Sequence, residues 1–497
     1  MKKTCLICLL IIFCVGVSAQ KKPKREFRGA WIQTVYQPQY AAMNPDEMRC
    51  YFDTLTLRLQ QAGINALIFQ VRPEADAFYP SEIEPWSRFL TGEQGVAPAP
   101  LWDPMQYLIT LCHERDMEFH AWINPYRVSV NNKNRLAPGH IYHSHPEWFV
   151  TYGNQLVFDP GLPESRAFIC RVVDDMVSRY DIDAIHMDDY FYPYPVSGTP
   201  FPDTDSYRRY GGNLPLDEWR RDNVNRLVSE LSLLIKKRKP WVRFGISPFG
   251  IYRNDTSWEG GSPTAGLQNY DDLYADVLLW VRNGWVDYIV PQLYWEVGHP
   301  AACYEKLVYW WNEAVGDSPC HLYIGQDVNR SLHHSVGGME YPQISHKLLL
   351  SRYLSSVAGN CFWSGYNFLD DYEYLTAQLK EDFFSRSVLM PAYTGIDSIP
   401  PARVAKLQAH WGPEGYFLEW KSDAARDEMQ KARYYCIYRF RRDEAVDINN
   451  VDALVARVRE PRFRLDYNDG SETCVYAVTA VDRMYNESQP RTIKVKL

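Results

Sequence analysis

The chain alternates between short, continuously apolar segments and longer segments in which apolar residues recur with helical spacing. Residues 44–63, NPDEMRCYFDTLTLRLQQAG, are typical of the second kind, with a proline near the start and a glycine at the end. Apolar strands separated by amphipathic helices indicate parallel strands covered on both faces. We predict eight such strands, within residues 27–35, 64–73, 118–127, 182–191, 242–251, 286–295, 321–330 and 360–369.

The number of strands distinguishes the two common parallel architectures. Eight strands, each followed by a crossover and together spanning roughly 360 residues, fit a (β/α)₈ TIM barrel enlarged by loop insertions. A doubly wound sheet usually carries a glycine-rich phosphate loop after its first strand, and RGAWIQTVYQPQY has none. We therefore predict an α/β fold, a (β/α)₈ barrel over residues 26–390.

The pattern changes after the barrel. Residues 391–402 are punctuated by proline and predict a linker, and residues 403–497 contain short alternating strands separated by turn signals. This tail resembles a fibronectin type III β-sandwich, with Trp420 as its core tryptophan and Tyr476 near the penultimate strand. It contains no catalytic constellation, and its role as spacer, docking surface or support for the barrel stays open.

The first residues predict export. Two lysines, a short apolar run and VSA before Gln20 are typical of a signal peptide over residues 1–19. Lipid anchoring through Cys14 is the less favoured alternative, because the residues before it lack the usual small side chains. We expect a periplasmic or extracellular protein with no integral membrane segment after signal removal.

Composition narrows the partners. The net charge is −8 with both signs dispersed, which gives no indication of nucleic-acid binding. The eight cysteines beyond the signal show no zinc-like spacing. Aromatic residues reach 14%, with 16 Trp and 35 Tyr, more ring surface than a core of this size needs. We expect a monomer.

Acidic residues stand where the barrel should open. Active sites of such barrels are built at the carboxyl ends of the strands. The fourth strand runs into Asp188 and Asp189, and its alternation turns His186 and Asp188 toward the lumen. The same parity places Glu296 at the top of the sixth strand. We therefore expect a pocket with carboxylates set among aromatic rings.

Carboxylates in an aromatic pocket suit glycoside hydrolysis. One carboxyl group protonates the leaving oxygen, while the other attacks the anomeric carbon or activates water. Burial among rings keeps an acid protonated near neutrality, and sugar faces stack on Trp and Tyr. The catalytic candidates are Asp188, Glu296 and Asp189. The candidates for substrate binding are Trp31, Gln70, Arg72, Trp122, Asn124, Tyr126, His186, Tyr190, Gln292, Tyr294, Trp295 and Trp363.

Simpler interpretations compete at single positions. An isolated aspartate at a strand end often caps the next helix, and Glu296 alone is as consistent with a salt bridge at the rim. Asp159 fits a turn, and Arg72 fits a partner that neutralises a buried acid. The loop GHIYHSHPEW, with His140, His143 and His145, suggests metal binding, but no suitable further histidine follows later strands except His186.

Several motifs together carry a family resemblance. FRGAWI, FQVRPEADAFY, AWINPYR, FDPG, IDAIHMDDYFYPYP, GISPFGIYRN and DYIVPQLYWE, in this order, resemble the bacterial glycosyl-hydrolase-like family 10, a (β/α)₈ group similar in plan to the α-galactosidase superfamily. The resemblance implies Asp188, or alternatively Asp189, as nucleophile and Glu296 as acid/base. It also implies envelope or exported glycans as substrates, including cell-wall glycan, and no metal or organic cofactor.

Three alternatives stay open. If the substrate carries N-acetyl groups, one acid of the Asp188–Asp189 pair orients that group as an internal nucleophile and the other donates the proton, with Glu296 left to bind. The second alternative is a carbohydrate-binding protein that has the barrel but does not catalyse hydrolysis. A metal-dependent deacetylase or amidohydrolase is the third alternative, and it requires the histidines of residues 140–145 to converge with Asp188.

Overall fold

The computed structural model describes residues 22–336, 339–340, 342–370, 372–422 and 427–497. The predicted signal peptide, residues 1–19, lies outside the described residues. Within the described part of the chain, none of the helices combines the length and apolar character needed to span a bilayer.

A closed parallel barrel forms the larger part of the molecule, as predicted. Each strand pairs in parallel with its neighbours in chain order, and the last strand closes on the first. Every barrel strand falls within or overlaps one of the eight predicted segments. The strands are β1 (Phe27–Ile32), β2 (Ala66–Arg72), β3 (Glu118–Ile123), β4 (Ala184–Met187), β5 (Arg243–Ile246), β6 (Tyr288–Ile289), β7 (His321–Asp327) and β8 (Val357–Trp363).

One principal helix follows each barrel strand. The helices are α1 (Pro45–Gln61), α2 (Pro104–Glu114), α3 (Pro163–Arg179), α4 (Leu216–Arg238), α5 (Val277–Arg282), α6 (Tyr304–Val315), α7 (Ile344–Tyr353) and α8 (Tyr372–Asp382). Helix α1 begins at the proline noted near the start of its sequence, and the structure adds a capping box between Asn44 and Glu47. The side chains of Ile185 and Met187 in β4 pack outward into the core beneath the helices.

Shorter elements fill the loops. A three-stranded antiparallel sheet, Arg127–Ser129, Phe149–Tyr152 and Gln155–Phe158, follows β3, and the pair Ser335–Val336 and Met339–Glu340 follows β7. The remaining short helical segments are Gln39–Ala42, Arg88–Thr91, Ile141–His143, Pro146–Trp148, Thr204–Tyr210, Asn269–Asp272, Val328–Leu332, Asn367–Asp370, Glu428–Gln430 and Val451–Ala453.

The C-terminal region is all-β, as predicted. Its strands are β9 (Ala405–Gly412), β10 (Gly415–Lys421), β11 (Tyr434–Arg441), β12 (Leu454–Val458), β13 (Arg462–Leu465), β14 (Thr473–Val481) and β15 (Arg491–Lys496). They form two antiparallel sheets, ordered β9-β10-β13 and β12-β11-β14-β15. Trp420 and Tyr476 lie in the core between them. The fibronectin type III assignment and the boundaries 26–390, 391–402 and 403–497 stay predictions.

The β-sandwich packs against the amino-terminal ends of the barrel strands. Arg433, just before β11, pairs with Asp183, just before β4, at 2.6 Å. The Tyr485 hydroxyl donates a hydrogen bond to Glu118, the first residue of β3. These contacts close the base of the barrel and leave the opposite end, where the carboxyl ends of the strands meet, free for a site.

Candidate active site

A cavity of about 520 Å³ opens at the carboxyl ends of the barrel strands. Ten of the fifteen predicted site residues line it: Trp31, Gln70, Trp122, Asp188, Asp189, Tyr190, Gln292, Tyr294, Trp295 and Trp363. They come from four barrel strands and from the segments that follow β4 and β6, so the closed sheet is what brings them together.

The Asp188 carboxyl group is hydrogen-bonded mainly through one of its two oxygens. Its Oδ2 accepts hydrogen bonds from the Asn124 amide and from the Trp122 indole at 3.2 Å. Its Oδ1 accepts only a longer bond of 3.4 Å from the Tyr190 backbone N–H among the described residues. Burial raises the pKa of Asp188 to about 7, with Arg127 opposing the rise and Asp189 adding to it. The group therefore keeps a substantial protonated fraction at neutral pH.

Asn124 is fixed in the orientation that serves Asp188. Its Oδ1 accepts from Gln70 Nε2 at 2.5 Å and from Arg127 Nη2 at 2.6 Å. Gln70 is fixed in turn, because its Oε1 accepts from the backbone N–H groups of Thr34 and Val35. With its oxygen occupied by two donors, Asn124 presents its NH₂ group to Asp188.

Asp189 has different neighbours. The Tyr194 hydroxyl donates to Asp189 Oδ2. Burial raises the pKa of Asp189, and hydrogen bonds from Tyr194 and Gln292 oppose that rise. The adjacent acids thus receive separate sets of donors, which allows them to take different protonation states and different roles.

Aromatic rings form the walls. The rings of Trp122 and Trp363 meet edge to face, with 6.2 Å between centroids. On the other side the Tyr190 and Tyr194 rings stack at 5.3 Å. These faces can receive the C–H surfaces of sugar rings, while the carboxyl groups lie between them.

Glu296 is the principal departure from the predicted site. It is not among the described residues that line the cavity, and its charge acts on the pKa of Lys347 instead. Strand β6 ends at Ile289, and only an isolated bridge at Gln292 continues the sheet. The alternation used to place Glu296 therefore stops before it is reached.

Three further predicted residues support the cavity from behind or beneath. Arg72 is buried, pairs with Glu84 at 2.6 Å and donates to the backbone oxygen of Asn124, which matches its simpler interpretation. A register shift between Gln70 and Arg72 directs the Arg72 side chain away from the barrel lumen. His186 lies lower in the barrel, where its Nε2 accepts from the Trp31 indole at 3.1 Å. Tyr126 is buried in the core beneath the helices.

Sequence reasoning missed several cavity residues. Asp327 ends β7 and shares the inward parity of Tyr323, so the same alternation argument would have found it. The loop residues carry no such periodic signal. The additional lining residues are Gln33, Val35, Tyr36, Gln37, Arg127, Tyr194, Ser247, Phe249, Asp327 and Arg330.

The histidine-rich loop has local roles. The buried His140 accepts from the Tyr142 N–H, and the His145 ring stacks on Trp148 at 4.0 Å. Across the described ranges, no group of three or more His, Cys, Asp or Glu side chains is arranged to hold a metal ion. The convergence with Asp188 that the metal-dependent alternative requires is therefore not found among these residues.

A (β/α)₈ barrel with buried carboxyl groups among rings at the carboxyl ends of its strands defines a glycoside-hydrolase-like protein. The chain belongs to the family described as glycosyl hydrolase-like 10, whose sequence profile matches residues 26–337. The resemblance identified from the motifs is thereby confirmed.

Relatives span most of the chain. "Glycosyl hydrolase YngK" of Bacillus subtilis (strain 168) is 38% identical over 497 residues, 97% of this chain and 96% of that protein. "Glycosyl hydrolase DigH" of Escherichia coli (strain K12) is 39% identical over 327 residues, 61% of this chain and 74% of that protein. Among solved structures, the PgaB (BpsB) glycoside hydrolase domain from Bordetella bronchiseptica aligns with a TM-score of 0.45 and 11% identity, covering 73% of this chain and 100% of that one.

Proposed function

We propose that the protein hydrolyses O-glycosidic bonds in a complex glycan and that Asp188 is its proton donor. The observation that carries this proposal is the environment of Asp188. Two donors hold one carboxyl oxygen, burial raises the pKa to about 7, and the side chain lines an aromatic cavity. A glycosidase needs an acid that is protonated at neutral pH and fixed in direction.

The second chemical role falls to Asp189. The Asp188 proton passes to the glycosidic oxygen as its bond to the anomeric carbon breaks, and positive charge develops on the sugar ring. Asp189, held by the Tyr194 hydroxyl, then orients the 2-acetamido group of the sugar so that its carbonyl oxygen attacks that carbon. Water then attacks the anomeric carbon, the bond from that carbon to the acetamido oxygen breaks, and a proton of the water passes to Asp188. This route needs no carboxylate at the position of Glu296.

Asp327 is the competing second carboxylate, since it also lines the cavity. It already caps the short helix Val328–Leu332, where its Oδ1 accepts from the Arg330 N–H at 2.9 Å. The cap on Oδ1 and an ion pair of Oδ2 with Arg330 at 3.6 Å hold Asp327 toward its own helix, which favours Asp189 for the second role.

We further propose that the substrate is a bacterial envelope glycan rich in N-acetylated sugars, including peptidoglycan glycan strands, and that the protein acts as an exported monomer. The ring-lined cavity, the acid pair and the predicted signal over residues 1–19 support this. The family supports the reaction class only.

The test is hydrolysis of purified glycan fractions, including peptidoglycan stripped of its peptides, with products identified by mass spectrometry. Wild type is compared with Asp188→Asn, Asp189→Asn, Asp327→Asn and Glu296→Gln. We expect both Asp188 and Asp189 to be required, and chemical de-N-acetylation of the substrate to abolish cleavage. Cleavage of the de-N-acetylated glycan, with Asp327 required, would instead establish a two-carboxylate mechanism. Binding without cleavage by wild type would identify a carbohydrate-binding protein.

A further inference from the structure

Two buried polar residues, Gln343 just before helix α7 and Lys347 within it, join two walls of the cavity. Lys347 Nζ donates to the backbone oxygen of Trp295 at 2.9 Å and to Ser331 Oγ at 3.0 Å. One turn earlier, Gln343 Oε1 accepts from the Val297 N–H at 2.8 Å, and the Gln343 N–H donates to the Ser331 carbonyl at 2.7 Å. The loop after β6 and the helix after β7 are therefore fastened to the same helix.

The segments that this pair fastens carry cavity residues. Trp295 lines the cavity from the loop after β6, and Asp327 and Arg330 line it from the end of β7 and the following helix. Lys347 and Gln343 do not line the cavity, so any effect on the substrate passes through these walls.

A continuous row of rings links Trp295 to the acid pair. The Trp295 ring meets Phe249 edge to face at 5.5 Å, and Phe249 meets Tyr194 in the same way at 6.1 Å. The Tyr194 hydroxyl donates to Asp189. A shift of the Trp295 backbone is thus transmitted through packed rings to the hydrogen bond on Asp189.

The free energy of burying the Lys347 ammonium group is unfavourable for a contact with a purely structural role. Its side chain is fully buried, and both hydrogen-bond acceptors that its Nζ reaches in the described residues are neutral. The ammonium also lies 4.7 Å from the centre of the Tyr304 ring. Burying an ammonium ion costs free energy that an apolar side chain of similar size avoids. Its presence beneath the cavity therefore suggests a functional requirement.

We propose that Lys347 is a positioning residue whose ammonium group fixes the Trp295 wall of the cavity and thereby maintains glycan binding. The proposal rests on the proposed function, because it assigns the wall to sugar binding. It deepens that function by predicting that affinity for the glycan falls when Lys347 loses its proton.

The surroundings of Lys347 place that loss near neutral pH. Burial lowers the pKa of Lys347 to about 8, against the opposing charges of Asp327, Glu296 and Glu305. A neutral amine still donates, but its hydrogen bonds are weaker than those of an ammonium ion. The ionisable groups that face Lys347 are Asp327 and Arg330 from the end of β7, Glu296 from the loop after β6, and Glu305 and Tyr304 from α6.

The test measures glycan affinity against pH in the Asp188→Asn background, which removes the titration of Asp188. The ligand is a peptidoglycan-derived N-acetylated oligosaccharide, followed by calorimetry between pH 6 and pH 9.5. We expect Kd to rise about fivefold as pH passes 8, the loss of roughly one net hydrogen bond. Adding Lys347→Met should give the weaker affinity at every pH and abolish the pH dependence.

Two control variants separate positioning from folding. Gln343→Met loosens the same wall without removing an ionisable group, so it should weaken binding and keep the pH dependence. Lys236→Met removes a partly buried ammonium, which pairs with Asp287 at 2.7 Å at the base of the barrel, and should leave Kd unchanged. Lys347→Met should change Tm little, because removal of a buried charge offsets the loss of the two hydrogen bonds.

A substrate-free measurement keeps this test independent of the proposed function. Intrinsic tryptophan fluorescence should change near pH 8 in wild type, and that change should disappear in both Lys347→Met and Trp295→Phe. If no oligosaccharide binds or is cleaved while the fluorescence change follows this pattern, the proposed function fails and the link between Lys347 and Trp295 stands. A Kd with the same pH dependence in Lys347→Met as in its parent, or a fluorescence change that survives in that variant, overturns the positioning role.

Discussion

Asn124 Nδ2 donates a hydrogen bond to Asp188 Oδ2, and this contact joins the loop after β3 to the end of β4. Asn124 has no freedom to reverse its amide, because Gln70 and Arg127 both donate to its oxygen. The backbone of residues 34 and 35 fixes Gln70 in the same way. The direction of the Asp188 carboxyl group is therefore set by a relay that begins at the end of β1.

The first prediction concerns the pH dependence of the reaction. Asp188 must be protonated to donate, and burial raises its pKa to about 7, so kcat/KM should fall as pH rises through 7. Asp188→Asn should lower kcat by about 10³-fold, within the usual range for loss of a general acid, and should remove this alkaline limb. The measurement is a pH–rate profile on a soluble oligosaccharide. A wild-type rate that instead rises through pH 7 would assign Asp188 the role of base or nucleophile.

The second prediction concerns the relay. The hydrogen bond from Asn124 lowers the pKa of Asp188, so removing it in Asn124→Ala should move the alkaline limb to higher pH. A hydrogen bond to a charged group contributes about 1.5 kcal/mol or more, which corresponds to roughly one pH unit. The rate at the optimum should fall about tenfold, because the acid is less well oriented.

A matched control exists for this variant. Asn254 is also buried and donates to the Gly266 backbone oxygen, in the long loop after β5. Asn254→Ala should leave the position of the alkaline limb unchanged. An unshifted limb in Asn124→Ala would mean that the hydrogen bond has no influence on the ionisation of Asp188.

The third prediction concerns Glu296. Because it does not line the cavity in the described structure, Glu296→Gln should retain kcat within about threefold of wild type. The amide is nearly the same size as the carboxylic acid, so the comparison isolates the charge. A loss as large as that of Asp188→Asn would restore Glu296 as the acid/base partner.

These residues also show how far sequence reasoning reaches. The eight strands and the inward direction of His186 and Asp188 follow from apolar runs and strict alternation, which hold wherever the strand is regular. Glu296 was misplaced relative to the cavity because β6 is regular only over Tyr288–Ile289. Tyr194 was missed because its position depends on the fold of a proline-rich loop and on a partner, Asp189, that no periodicity connects to it.

In the C-terminal region, too, the sequence predicts local strands but not the contacts between residues that are far apart in the chain. Alternating strands predicted a sandwich, but nothing in the residues near 433 or 485 indicates that they meet Asp183 and Glu118, several hundred positions earlier. Such pairings become visible only when the base of the barrel is assembled. They suggest that the sandwich supports the barrel, the third of the roles left open by the sequence.

The last prediction tests that support. Arg433 and Asp183 form a buried pair at 2.6 Å, so Arg433→Ala leaves the Asp183 carboxylate buried without its closest cation and should reduce the free energy of unfolding by about 3–5 kcal/mol.

Burial raises the pKa of Asp183, but Arg433 and His113 outweigh it, and the net pKa lies well below the usual value. The pair therefore contributes stability above about pH 4, which is lost as pH falls toward the folded-state pKa. Urea unfolding at pH 7 and at pH 3 measures both quantities. Arg483→Ala, which removes a more exposed pair with Asp181 at 3.1 Å, should cost less than about 1 kcal/mol. Equal costs for the two variants, or no narrowing of the difference in unfolding free energy between wild type and Arg433→Ala at pH 3, would show that the sandwich is attached to the barrel without stabilising it.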